Sequence, residues 1–71
     1  MKIKSNPKAV RAAILDSGMS NAELIAATGV SGVLIWKAMN GKNRIEAKTL
    51  YKIAKAFGVK PSSLADFDDD E

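Results

Sequence analysis

Eleven Lys and Arg and a single tryptophan, Trp36, are the side chains with most to offer a partner. Neither Cys nor His occurs in the 71 residues. That removes disulfides, thiolate and imidazole metal ligands, and histidine acid–base catalysis. No base is available to activate a hydroxyl, so Ser62-Ser63 reads as a helix start and not as a nucleophile. Carboxylates remain as ligands for a hard cation, but their cluster at residues 66–71 lacks the glycine-turn loop of a calcium site. The expectation is a non-enzyme without metal or cofactor, whose chemistry is contact with another macromolecule.

The charges are unevenly spread. Asp66, Asp68, Asp69, Asp70 and Glu71 hold five of the eight acids, so residues 1–65 set eleven cations against Asp16, Glu23 and Glu46, a net +8. A basic body with a short acidic tail suits a polyanionic partner. A solvated surface with a solubilising tail gives the same totals, so charge supports a motif without replacing one. Hydrophobic content of 46% is too high for disorder at a net charge of +3. No run approaches the roughly 20 apolar residues of a membrane span, and no charged-then-apolar leader opens the chain. The expected setting is cytoplasmic, away from membranes.

The stretch that must position these side chains runs from Ser20 to Gly41, SNAELIAATGVSGVLIWKAMNG. Ser20 followed three residues later by Glu23 is a capping box, each side chain satisfying a backbone N–H left open at a helix start. Leu24 and Ile25 supply apolar surface. Gly29 suits the left-handed turn that ends a helix, and Ser31 caps the next one, from about Gly32 to Asn40. Two short helices joined by a glycine-containing turn form the helix-turn-helix pattern, whose second helix enters a DNA major groove.

Around it the chain predicts one all-α domain over residues 1–65 and an acidic tail over 66–71. Residues 1–5 have no periodic pattern and read as a mobile or loosely docked arm. Asn6-Pro7 opens a first helix, Asn as cap and Pro where its missing N–H costs nothing. Val10 and Ile14 should face the core, with Leu15 extending that face. A fourth helix spans about Glu46 to Phe57, with Leu50, Ile53, Ala54 and Phe57 on one stripe and Lys48, Lys52 and Lys55 on the solvated side. Lys60-Pro61 starts a final turn or short fifth helix in which Leu64, with Phe67 beyond it, closes the core. The whole is a bundle of four to five short helices.

With these pieces in place, the chain resembles the Cro/CI-type (XRE) helix-turn-helix family of phage and bacterial regulators over roughly residues 8–65. The resemblance rests on Ser20-x-x-Glu23-Leu24, Gly29-Val30-Ser31, Ile35, Asn40-Gly41 and LYKIAKAFGV from Leu50 to Val59. It implies a lambda-repressor-like fold and, as partner, a double-stranded DNA operator, with homodimerisation possible. It also implies site residues: Asn21 at the start of the second helix, and Gly32, Val33, Leu34, Trp36 and Lys37 early in the third. The loop Lys42, Asn43 and Arg44 would grip backbone phosphates, and Asn40 lies between the two groups.

The chain departs from the family pattern in four places. Ile25 stands where the two helices cross and the family has a small residue. Thr28 replaces an apolar residue before the turn glycine. Ile14 and Met39 replace an Arg–Glu ion pair, a swap that avoids desolvating two charges. Finally, Val33, Trp36, Lys37 and Asn40 form the outward stripe of the third helix, with Ile35, Ala38 and Met39 inward. Base-reading helices carry donors and acceptors matched to base edges, whereas this one is apolar nearly all round, and such helices are usually covered on both sides. Two readings follow: a small DNA-binding transcription regulator of a phage or prophage genetic switch, or an antirepressor that binds a partner helix-turn-helix repressor through Trp36.

Overall fold

Helix boundaries follow local capping chemistry. In the computed structural model, which describes residues 1–66, α1 spans Pro7–Ser17, α2 Asn21–Thr28, α3 Gly32–Asn40 and α4 Ala47–Phe57, followed by a 3₁₀ turn at Pro61–Leu64. Asn6 Oδ1 accepts the Ala9 N–H at 3.2 Å and Pro7 takes the first helical position. Ser20 and Glu23 close the anticipated capping box in both directions, at 3.2 and 2.8 Å. Ser31 Oγ accepts the Leu34 N–H at 3.3 Å. Each helix ends at a glycine with φ between +67° and +70°, a conformation that costs a residue with a Cβ. The acidic tail beyond Asp66, and Phe67 with it, lie outside the described residues.

The core is one cluster centred on Val10, Leu24, Leu50 and Ile53, each at most 2% exposed, with Val30, Ile35, Ala38, Ile45, Ala54 and Leu64 around them. α1 packs chiefly on α3, and α4 on the 3₁₀ turn and on α2. Ile14 and Met39 both pack, half-buried, against this cluster. Leu15, expected to extend the buried face of α1, is instead 80% exposed. It lies one position, or 100°, past Ile14, which carries it off a face already filled by Val10, Ala13 and Ile14.

The N-terminal segment also departs from expectation. Lys2–Ile3 (β1) pairs antiparallel with Ile45–Glu46 (β2), in the register Lys2 with Glu46 and Ile3 with Ile45. The Ala47 N–H donates to Met1 O at 2.8 Å, and Ser5 bridges to Ala65. Residues 1–5 are thus tied to the body and not a free arm. The cause is tertiary: Ile3 packs against the core beside Ile45, which is 3% exposed.

Candidate nucleic-acid interface

α2 and α3 meet at 102°, within the range that lets a second helix stand proud of the first. Thr28 makes the corner. Its hydroxyl donates to Leu24 O at 2.6 Å and accepts the Val30 N–H at 3.1 Å. The side chain is 7% exposed and fully used, so a threonine here does more than an apolar residue: it ends α2 and fixes the chain direction into α3. Ile25 faces Gly32 across the crossing, and its bulk is accommodated there without a glycine being required. A Cβ built on Gly32 would lie 3.5 Å from Ile25 Cδ1, ordinary contact distance.

On this frame the expected site residues separate into groups. Asn21, Gly32 and Trp36 come together with Ile25, Ile35 and Met39 around a mainly apolar cleft of about 280 Å³ between α2 and α3. Val33 is 64% and Trp36 59% exposed, with Ile25 at 41%. Covering such an indole removes on the order of 100 Å² of apolar surface, or about 2.5 kcal/mol. Lys42, Asn43 and Arg44 are exposed directly after α3.

Other expected residues are partly engaged within the fold. Leu34 is half-buried and packs against the core cluster, so only part of its side chain is open to a partner. Lys37 is half-buried and lies in the last turn of α3, where a cation complements the helix dipole. The Asn40 Nδ2 donates to Trp36 O at 2.8 Å. This leaves its Oδ1 and one N–H for a partner. Glu23 brings a carboxylate to the start of α2, spent on the Ser20 N–H, which lowers the attraction of that helix end for a phosphate near Asn21.

Two contributors escaped the sequence reading. Ile25 was read as bulk at the helix crossing, and its exposure adds it to the Val33–Trp36 patch. Ser5 lies in the segment read as an arm, yet it is fully buried and its Oγ donates to Ala38 O at 2.6 Å, at the end of α3. Among the described residues no cluster of acids suits a metal ion, and no single helix is long and apolar enough to cross a membrane.

Residues 9–70 match the family described as the Cro/C1-type HTH DNA-binding domain. No curated protein matches the chain, and no solved structure matches it.

Proposed function

This chain belongs to the Cro/C1-type helix-turn-helix DNA-binding domain family, and from that premise we propose that it is a small transcription regulator of a phage-type or prophage-type genetic switch, docking α3 in the major groove of an operator. The observation that carries this reading is the continuity of the exposed α3 ridge with the basic loop behind it. Val33 offers a methyl surface to thymine C5-methyl groups. Lys37 and the free half of the Asn40 amide take base edges or phosphates. Lys42 and Arg44 neutralise the backbone, consistent with a net +8 over residues 1–65. A homodimer would present two such ridges one helical turn apart on a palindromic site.

Titrating labelled duplexes, one carrying the gene's own promoter region and one random, at two salt concentrations tests this. Selective binding that weakens steeply with salt is the expected result; weak and equal binding to both contradicts it.

A second reading has its own support in the exposed Val33, Trp36 and Ile25 and the apolar cleft beside them. Indole has one donor and no acceptor, which suits a protein anchor better than a base edge. Lys37, Asn40 and Lys42 supply a polar rim. Under this reading the chain is an antirepressor whose α3 face binds a partner helix-turn-helix repressor in place of DNA. Co-purification with the product of a neighbouring repressor gene is then expected. Trp36→Ala abolishes the complex with helicity unchanged; tight binding by that variant contradicts the reading.

A further inference from the structure

The last carbonyls of a helix have no partner within it and must find one outside. In α3, Lys37 O accepts the Gly41 N–H at 3.0 Å. Ala38 O is capped from 33 residues away by the Ser5 hydroxyl, with both residues 0% exposed. The same segment lies flush against Gly41: a Cβ there would meet Pro7 Cγ at 2.4 Å and Ser5 O at 3.2 Å. Beyond the loop, β1 holds β2, and Met1 O takes the Ala47 N–H at 2.8 Å. The other edge of the segment is secured by the Asp66 N–H on Lys4 O at 2.8 Å. Lys42, Asn43 and Arg44 are therefore slung between two anchors supplied by residues 1–5, one on each side.

We propose that Ser5 is a positioning residue for the contact face, holding the end of α3, and through it the direction of Lys42–Arg44, by capping Ala38. This rests on the reading that α3 and the loop form the binding surface. Ser5 touches no ligand; it acts by denying the loop a second orientation. A three-residue loop fixed at both ends presents its cations without losing loop freedom on binding, a cost that a loose loop would meet at each encounter.

The test compares Ser5→Ala with Ser17→Ala in the full chain. Ser17 Oγ donates to Ile14 O at 2.6 Å and accepts the Met19 N–H at 3.1 Å, so its variant loses at least as much hydrogen bonding at the end of α1, away from the loop. Amide exchange is read by NMR well below the unfolding transition, alongside titration with the promoter duplex. Ser5→Ala is expected to speed exchange at Gly41 by about tenfold, the local opening released by one lost buried bond. Leu50 and Ile53, buried in α4, should speed up by no more than the loss of overall stability, as in Ser17→Ala, and duplex affinity should fall severalfold. Ser17→Ala should leave both Gly41 and affinity unchanged. Acceleration at Gly41 no greater than in Ser17→Ala, or full duplex affinity in Ser5→Ala, overturns the proposal. Ser5→Cys, close in size and a far weaker donor, carries the same test if the alanine variant does not fold. Should the wild-type chain not bind the duplex, the DNA reading falls, and the exchange comparison alone decides the role of Ser5.

Discussion

Four glycines end four helices with nearly the same φ, yet one of them should be far less replaceable. At Gly58 a Cβ meets nothing within 4 Å, so Gly58→Ala costs only the left-handed conformation, about 1 kcal/mol. At Gly41 the same Cβ would come to 2.4 and 2.8 Å from the Pro7 ring and 3.2 Å from Ser5 O. A proline ring has no rotamer by which to move aside, and Ser5 is held by its bond to Ala38. Overpacking adds about 2 kcal/mol, giving roughly 3 kcal/mol for Gly41→Ala. A domain of this size holds about 4–10 kcal/mol in all, and each 1 kcal/mol moves its Tm by about 4–8 °C. Thermal unfolding followed by far-UV circular dichroism should therefore put Gly58→Ala about 4–8 °C below wild type and Gly41→Ala roughly 12–24 °C below. Equal losses in the two variants would refute the close approach of the N-terminal segment to α3.

Thr28→Val keeps the shape and removes a hydroxyl that serves both Leu24 O and the Val30 N–H; a loss of about 1–3 kcal/mol is expected in urea denaturation, because Val30 is buried and its N–H is left open. Leu50→Ala should cost about 2–5 kcal/mol, since Leu50 is 0% exposed, whereas Leu15→Ala, at a site 80% exposed, should stay within about 0.5 kcal/mol in the same assay. Under the DNA reading, Lys42→Ala and Arg44→Ala should each weaken binding to all sequences alike and reduce the slope of log affinity against log salt by about 1, as measured by duplex titration.

What was legible in the chain was the chemistry that acts over three or four residues. Asn6-Pro7, Ser20 with Glu23, and Ser31 mark helix starts wherever they are placed, and glycines mark the ends. These signals bounded α1, α2 and α3, while α4 showed in its apolar stripe and Gly58. The stripe Leu50, Ile53 and Ala54 also buried as its spacing predicts. What was not legible depends on partners distant in sequence. Residues 1–5 are too few to show a period of their own, and Lys2-Ile3 becomes a strand only because Ile45 waits across the fold. Nothing local distinguishes Ser5 from any serine preceding a helix. Leu15 went astray because neighbouring positions on a helix diverge by 100°, and which one the core accepts is set by the elements packed against it. In the candidate site, the exposed Val33 and Trp36 were read correctly from the α3 stripe, while the addition of Ile25 required the crossing geometry.

The central claim is that the outer ridge of α3, with Trp36 in its middle and the loop behind it, is the surface that meets operator DNA. Chemical-shift mapping of the ¹⁵N-labelled chain, titrated with the promoter duplex at low salt, addresses it most directly. The largest changes are expected at Asn21, Val33, the Trp36 indole N–H, Lys37 and Lys42 to Arg44. Changes confined to residues outside α2, α3 and the loop, such as Tyr51 and Pro61, or none at any duplex concentration, would contradict it.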